Sequence, residues 1–418
     1  NFDLKGIQKL LQQKEDIKNL AAEDGEEYQV APSSKSSFNQ LNPEQLAAVE
    51  YSGGPSLILA GPGTGKTKTL TSKVVWMIGN HLARPGEILV ITFTNKAAEE
   101  LRERLQTLLK SKRKAGSVTI ATFHAFGLSI LKEFHEVFDR SEGFFLVDES
   151  LKMEIIRSLF SCTAREAQKR ASGITEIKKG SGVKDAYFEA YEKELERLDA
   201  FDLDDLLLKP LELLLQDEKQ RLQYQQRFPV ILVDEYQDTN EVQYRLLRQL
   251  APNGNSRLCV TGDPHQSIYG FRGADIAFIN RFTDDYPDAK VFRLRQSYRC
   301  SQTILTASSN VLELSAGLLN SLSEGVKISV SEHPSGASEA EFIARQIEEL
   351  MGGVSFFSID SSASSGYQDE SVSSLSGLAV LCRTISSLRP LPKLLTIIIS
   401  PGRKPVHCHF TGRNLFKL

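Results

Sequence analysis

The chain has 418 residues, with 50 Lys and Arg against 53 Asp and Glu, which gives a formal net charge of −3. Apolar residues make up 41% of the chain and charged residues 25%, the balance of an ordinary globular protein. These values exclude a wholly disordered chain, a collagen and a disulfide-dense scaffold. At about 150 residues per domain, the length predicts two to four domains. Because the charge is near neutral, nucleic-acid binding must be argued from local sites.

The sequence carries no targeting or membrane signal that we recognise. It has no run of about 18 apolar residues, and its first residues lack the apolar core of a signal peptide. The cysteines are widely spaced and form no CxxC pair, which is typical of a reducing compartment. We therefore expect a cytoplasmic protein without membrane partners. Since Asn1 stands where Met would begin a chain, we interpret the sequence as a piece of a longer protein.

The predicted elements begin with an appendage. Residues 1–37 combine a helical pattern with a polar, Ser-rich linker. From residue 38, short apolar runs alternate with helical patterns, which indicates an α/β protein whose parallel sheet has helices on both faces. The runs predicted as strands of this sheet are 56–60, 87–94, 118–123, 229–234, 257–263 and 289–295.

The domain organisation follows from where these strands are interrupted. Residues 124–199 are charged and helical, so we predict a helical insertion between the two parts of the first sheet domain, 38–123 and 200–295. A second, incomplete α/β unit is predicted over 296–418. Its predicted elements are a helix over 301–315, a strand over 327–332, a helix over 338–351, a Ser- and Gly-rich loop over 352–377 and a strand over 378–382.

A phosphate-binding loop follows the first predicted strand and opens a helix. Glycines let the backbone wrap around phosphate, and the helix N-terminus offers free N–H groups. Lys66 would supply a cation to the β- and γ-phosphates, and the Thr67 hydroxyl would bind Mg²⁺. A Gly-rich turn with a chance Lys-Thr pair is the alternative, and the strand-loop-helix context argues against it. The predicted loop residues are Ala60, Gly61, Pro62, Gly63, Thr64, Gly65, Lys66 and Thr67.

Such a loop needs an acidic residue at the end of a neighbouring strand, and two segments offer one. Residues 144–149 (FFLVDE) and 230–235 (VILVDE) share the same local pattern. Only the second is followed by further polar residues and another strand, so we predict that Asp234 binds Mg²⁺ and that Glu235 is the general base for the attacking water. The first is interpreted as a strand-to-helix junction.

Several ordered motifs together resemble the UvrD/Rep-type superfamily 1 DNA helicases. The resemblance runs from about residue 38 to about residue 388, and the motifs occur in the order that this family shows. The matching segments are 41–45 (LNPEQ), 60–67 (AGPGTGKT), 92–98 (TFTNKAA), 121–126 (ATFHAF), 202–206 (DLDDL), 233–240 (VDEYQDTN), 262–274 (GDPHQSIYGFRGA) and 296–299 (QSYR). The resemblance implies a P-loop NTPase with a RecA-like parallel sheet, the helical insertion and a partial second RecA-like domain.

The resemblance also implies roles around ATP. Gln45 would read the adenine edge and Tyr298 would stack on the ring, while Lys68 stands where the family usually has Arg beside the adenine. Gln266 and Arg299 would contact the γ-phosphate, which suits the chemistry of an amide and a guanidinium.

A DNA track is implied as well. Tyr269 and Phe271 would stack between bases, next to Arg272. Independently, two aromatics and a cation in a Gly-flanked loop could hold single strands without reading sequence, at about 1–3 kcal/mol per stacked base. The alternative is that the aromatics are core residues, and His124 could equally be a core or capping histidine. The residues implied along the track are Phe93, Thr94, Asn95, Phe123 and His124.

The predicted function is that of an ATP-dependent 3′→5′ DNA helicase or single-strand translocase, with ATP and Mg²⁺ as cofactors. Expected partners are single-stranded DNA, 3′-tailed duplex DNA and unidentified repair or recombination proteins. We recognise none of the family's motifs V and VI, so we expect a truncated chain with weak activity. The alternative is a DNA-stimulated ATPase, or a nucleotide- and DNA-binding module, that does not unwind.

Overall fold

The computed structural model describes residues 40–180, 182–252, 257–270, 273–314, 317–350, 378–382, 409–411 and 415–417. The chain forms two compact units, which divide between Val326 and Lys327. The predicted N-terminal helix and the loop over 352–377 lie outside the described residues, as do two predicted site residues, Phe271 and Arg272. Across the part of the chain that is described, every helix is too short or too polar to span a bilayer.

The strands are short, and most coincide with the apolar runs of the sequence. They are β1 (Ser56–Ala60), β2 (Ile88–Thr92), β3 (Thr119–Thr122), β4 (Phe145–Val147), β5 (Ala200–Asp202), β6 (Val230–Val233), β7 (Arg257–Gly262), β8 (Lys290–Leu294), β9 (Gln296–Ser297), β10 (Asn320–Ser321), β11 (Ala379–Leu381), β12 (His409–Thr411) and β13 (Leu415–Lys417).

The helices lie between these strands, and side chains cap many of them. They are α1 (Pro43–Glu50), α2 (Lys66–Gly79), α3 (Asn95–Leu109), α4 (Lys112–Ser117), α5 (Phe123–Glu133), α6 (Glu149–Phe160), α7 (Ala164–Lys178), α8 (Ala186–Arg197), α9 (Asp205–Gln216), α10 (Glu218–Arg227), α11 (Glu241–Leu250), α12 (Ala277–Asn280), α13 (Phe282–Asp285), α14 (Gln302–Val311) and α15 (Gly336–Leu350).

The first unit is built on a six-stranded sheet with the order β3-β2-β6-β7-β1-β8. All neighbouring strands pair in parallel, as the continuous apolar runs predict for strands buried on both faces. Parallel strands place all their carboxyl ends at one edge, where ligands bind in open α/β sheets. The segments after β1, β6 and β7, which carry the predicted nucleotide site, therefore meet at that edge.

Two apolar cores cover the two faces of this sheet. On β2, Leu89 and Ile91 pack into one core, whereas Ile88 and Val90 pack into the other. This alternation follows from the two-residue period of a strand. Helices therefore cover both faces of the sheet, and the loops lie at its carboxyl edge.

The helical segment between β3 and β6 has its own core and its own small sheet. Strands β4 and β5 pair in parallel, and the core of α6, α7 and α8 lies beside them. Charged residues are also buried here: Lys178 contacts Asp202, Asp205 and Glu192 at 3.0, 2.7 and 2.7 Å. These ion pairs connect α7, α8, β5 and α9.

The second unit contains α15 and an antiparallel sheet of order β11-β13-β12. The predicted helix over 338–351 is confirmed as α15, and the strand over 378–382 as β11. The predicted strand over 327–332 is wrong, because these residues adopt no regular structure. Ile328 is 50% exposed and Val330 is 93% exposed, so they lack the half-buried surface that favours a strand. The domain boundaries proposed above remain predictions.

Candidate nucleotide and DNA site

The phosphate loop leaves β1 and turns directly into α2. Gly63 and Gly65 have φ angles of 73° and 87°, in the left-handed region that glycine adopts without strain. Gly65 is the N-cap of α2, so Lys66 begins the helix. The loop therefore presents a helix N-terminus, whose N–H groups attract anions.

Three donors from elsewhere in the chain hold the carbonyl side of the loop. The Ser297 hydroxyl donates to Pro62 O at 2.9 Å, and Tyr298 N donates to Gly63 O at 2.9 Å. Gln45 Nε2 donates to Thr64 O at 2.8 Å. In a trans peptide, the next N–H points away from the carbonyl. Bonds to these carbonyls therefore orient the following amides toward the opposite side.

Lys66 belongs to a closed ring of polar contacts that joins the loop to β6 and β7. Its Nζ lies 3.4 Å from Glu235 Oε2 and 3.2 Å from Gln266 Oε1. Gln266 donates to Asp263 Oδ2 at 2.6 Å, and Asp263 N donates to Gln237 Oε1 at 3.0 Å. Gln237 Nε2 closes the ring by donating to Glu235 Oε2 at 2.9 Å. The ring gathers three of the four predicted catalytic residues.

Asp234 and Glu235 follow β6 as adjacent carboxylates. Asp234 is 5% exposed, and burial, together with the charge of Glu235, raises the pKa of Asp234 to about 7. Glu235 adopts a φ of 53°, which is uncommon for a residue with a side chain. Asp234 Oδ1 accepts a bond from the backbone N of Glu235 at 3.0 Å, so this amide orients the Asp234 carboxylate.

The donor set at Asp234 fits a magnesium ion. No group of three or more His, Cys, Asp or Glu that could hold a metal alone occurs among the residues the structure describes. Mg²⁺ is usually bound by one or two protein oxygens plus substrate phosphates. Burial disfavours the ionised form of Asp234, and a bound cation would stabilise that form. Thr67, in the first turn of α2, offers a hydroxyl as a second ligand.

The predicted adenine residues cluster at the start of α1. Asn42 caps this helix in a capping box with Gln45 and donates to the Tyr298 hydroxyl at 2.9 Å. Tyr298 is 51% exposed, whereas Gln45 is 1% exposed. Lys68 donates to Gln40 O at 2.7 Å. The three predicted residues, Gln45, Lys68 and Tyr298, thus lie along one border of the phosphate loop.

Arg299 reaches the loop from the segment that follows β9. A Cβ built on Gly63 would lie 2.5 Å from Arg299 Cβ, so only glycine fits at this approach. The Arg299 residue is exposed.

The predicted DNA track lies beside this site, at the ends of β2 and β3. The rings of Phe93 and Tyr269 lie 4.7 Å apart with an interplanar angle of 31°, and both residues are half-buried. This contact joins the end of β2 to the loop after β7. Each ring therefore already has one aromatic neighbour and still has accessible surface.

The other predicted DNA residues have varied surroundings. Thr94 caps α3 by accepting a bond from Ala97 N at 3.1 Å, and Asn95 begins that helix. Phe123 is 5% exposed and packs in a core. Burial lowers the pKa of His124 to about 4; Asp204 opposes this shift and Lys179 adds to it. His124 is thus neutral at neutral pH and offers no charge to phosphate. The DNA-binding roles remain predictions.

The structure separates the two candidate acid pairs. Asp148 caps α6 by accepting a bond from Leu151 N at 2.8 Å, which confirms a strand-to-helix junction, whereas Glu235 contacts Lys66. Sequence reasoning missed Gln237, Asp263 and Ser297 as members of the site. Asp263 directly follows β7, a strand beside β1, and this position was a usable signal. The other two residues gave no signal apart from lying within matched motifs.

A parallel sheet with a phosphate loop and an acid pair at its carboxyl edge defines a P-loop NTPase of RecA-like fold. The sequence-family model described as "UvrD/REP helicase N-terminal domain" matches residues 41–183 and 175–287 of this chain. The chain belongs to the UvrD/REP helicase family.

The chain is also similar to bacterial proteins named ATP-dependent DNA helicase PcrA. It is 34% identical over 340 residues to the one from Staphylococcus aureus (strain Mu50), an alignment that covers 74% of this chain and 46% of the relative. It is also 34% identical over 335 residues to the one from Bacillus subtilis (strain 168), an alignment that covers 74% of this chain and 45% of that relative. The chain therefore spans about half the length of the curated relatives it matches.

Proposed function

We propose that this chain binds and hydrolyses ATP with Mg²⁺ and uses the energy to move along single-stranded DNA in the 3′→5′ direction. The observation that carries the proposal is the ring joining Lys66, Glu235 and Gln266. In this ring the proposed phosphate cation, general base and γ-phosphate sensor are already within contact distance. When a triphosphate binds, Lys66 would replace its contacts with Glu235 and Gln266 by contacts with phosphate oxygens.

The proposed division of labour follows from position. Lys66 and Arg299 neutralise phosphate, Thr67 and Asp234 hold Mg²⁺, and Glu235 accepts the proton of the attacking water. The pair Phe93–Tyr269 supports the proposed DNA track, because aromatic faces stack on any base. Proposed substrates are single strands and 3′-tailed duplexes, with repair or recombination proteins as unidentified partners.

The second candidate is a DNA-stimulated ATPase, or a nucleotide- and DNA-binding module, that does not separate strands. The contacts of Lys66 with Glu235 and Gln266 concern nucleotide alone, so they support this candidate as well as the first; we propose weak activity for these 418 residues. Phosphate release measured with and without oligonucleotide tests the ATPase, and strand displacement on 3′- and 5′-tailed duplexes tests unwinding and its direction. No phosphate release with DNA present would refute the enzyme; release without displacement would favour the second candidate.

A further inference from the structure

We propose that Ser297 is a positioning residue, which holds the phosphate loop in its nucleotide-binding shape from outside the loop. The inference rests on the proposed nucleotide site and assigns a means of controlling its affinity. Ser297 stands in β9, far along the chain from the loop it contacts, and it belongs to the segment that also supplies Tyr298 and Arg299.

The hydroxyl of Ser297 has two partners, which leave it a single orientation. It donates to Pro62 O at 2.9 Å and accepts from Cys300 N at 3.4 Å. Ser297 is fully buried, with 0% of its surface exposed. Turning the side chain about χ1 would move Oγ away from both partners and break both bonds.

Neighbouring contacts press the same segment closely against the loop. Tyr298 N donates to Gly63 O at 2.9 Å. A Cβ on Gly61 would lie 2.6 Å from Leu319 Cδ1. Leu319 precedes β10, which pairs with β9. The short β9–β10 sheet therefore packs along the loop. The Ser297 side chain hydrogen-bonds this sheet to the loop backbone at Pro62 O.

The consequence for nucleotide binding follows from the peptide geometry. The bond at Pro62 O fixes the peptide between Pro62 and Gly63, and hence the direction of Gly63 N–H. Loop amides of this kind cradle the phosphates that ADP and ATP share. Loss of the Ser297 hydroxyl should therefore weaken both nucleotides equally, whereas loss of the Arg299 guanidinium, proposed at the γ-phosphate, should weaken ATP more than ADP.

The test compares Ser297→Ala, Ser297→Thr and Ser321→Ala. Thr keeps the hydroxyl. Ser321 is the matched control, because its hydroxyl donates to Cys300 O at 2.7 Å in the same small sheet and makes no bond to the loop among the hydrogen bonds described. Fluorescent mant-ADP and a non-hydrolysable mant-ATP analogue are titrated into each full chain with Mg²⁺. We expect Ser297→Ala to raise both dissociation constants about five- to ten-fold, the effect of one hydrogen bond, with Ser297→Thr and Ser321→Ala near wild type.

Other outcomes overturn the inference. If wild type binds nucleotide and Ser297→Ala binds equally well, Ser297 does not position the loop. A loss confined to the ATP analogue would assign Ser297 to the γ-phosphate instead. Equal losses in Ser297→Ala and Ser321→Ala, with equally lowered melting temperatures, would mean that the small sheet merely unfolds. Failure of wild type to bind either nucleotide would refute the nucleotide site itself, and this inference with it.

Discussion

The ammonium group of Lys66 lies 3.4 Å from Glu235 Oε2. The residue proposed to hold phosphate and the residue proposed to activate water therefore contact each other directly. Their side chains are 11% and 30% exposed, so water screens this pair less than a surface pair. Phosphate binding and the freeing of Glu235 for catalysis would then be one event, since both depend on Lys66.

Separate substitutions of Lys66 and Glu235 should distinguish ATP binding from ATP hydrolysis. Lys66→Ala should abolish tight ATP binding, because backbone amides alone do not neutralise a triphosphate. Glu235→Gln should bind ATP at least as well as wild type, since the competing charge at Lys66 is removed. It should hydrolyse ATP about 10²–10⁴-fold more slowly, as expected for loss of a general base. Nucleotide titrations and single-turnover phosphate release measure the two effects.

A matched control comes from the other acid pair. Asp148→Asn removes a carboxylate but keeps an oxygen that can cap α6, where Asp148 accepts from Leu151 N. We expect unchanged nucleotide binding and hydrolysis. A large loss in this variant, or an equal loss of nucleotide affinity in Lys66→Ala and Glu235→Gln, would contradict the separate roles.

The aromatic pair gives a prediction for DNA. Tyr269→Ala should weaken single-strand binding by about 1–3 kcal/mol, with little dependence on base sequence, because stacking uses the face of any base. Ile268→Ala is the control, since Ile268 lies in the same loop, is 66% exposed and has no π-face. Fluorescence anisotropy with labelled dT and mixed-sequence oligonucleotides at one fixed salt concentration measures both. Equal affinities for wild type and Tyr269→Ala would show that Tyr269 does not stack on bases and only packs within the protein.

How far the sequence predicts the molecule depends on the kind of interaction. Every strand of the six-stranded sheet is predicted to within two residues, because strands buried on both faces read as continuous apolar runs. Residues 327–332 alternate between apolar and polar, which also predicts a strand, but Val330 is exposed. A strand needs a packing partner that the local pattern cannot specify. Likewise, the pattern predicts Lys66 and Glu235 as site residues, whereas the contacts of Gln237 and Ser297 arise only from tertiary structure.

His124 should make stability sensitive to acid. Its folded pKa is lowered to about 4, chiefly by burial, from an ordinary value of 6.5. The folded state therefore favours the neutral ring; this contribution is fully present above about pH 6.5 and is lost as pH falls toward about 4. His124→Asn removes this titrating ring. The free energy of unfolding of the variant should therefore fall less between about pH 7 and about pH 5 than that of wild type. Urea unfolding at about pH 7 and about pH 5 measures this; parallel pH profiles for the two proteins would contradict it.

The buried ion pairs around Lys178 should control how firmly the helical segment is held. The Lys178 side chain is 0% exposed, and three carboxylates lie within 3.0 Å of its Nζ. In Lys178→Met, Asp202 and Glu192 keep Lys152 and Lys209 as partners at 3.2 and 3.1 Å. Asp205 loses the ion pair described for it, which should cost about 3–5 kcal/mol of unfolding free energy. Arg197→Ala, which breaks the exposed pair with Glu194, is the control and should change the free energy of unfolding much less, because water screens an exposed pair.

The loss in Lys178→Met should also depend on pH in a defined direction. Burial and the charge of Asp202 raise the pKa of Asp205 to about 7, while Lys178 opposes this shift. Without Lys178 the folded pKa of Asp205 rises further, so the variant gains stability by binding a proton and loses it as pH rises through that pKa. The stability difference from wild type should therefore widen between about pH 5 and about pH 8 in urea unfolding. A difference that stays constant over this range would show that Asp205 does not take up the proton, and a loss no larger than that of Arg197→Ala would show that the buried pairs do not hold the segment.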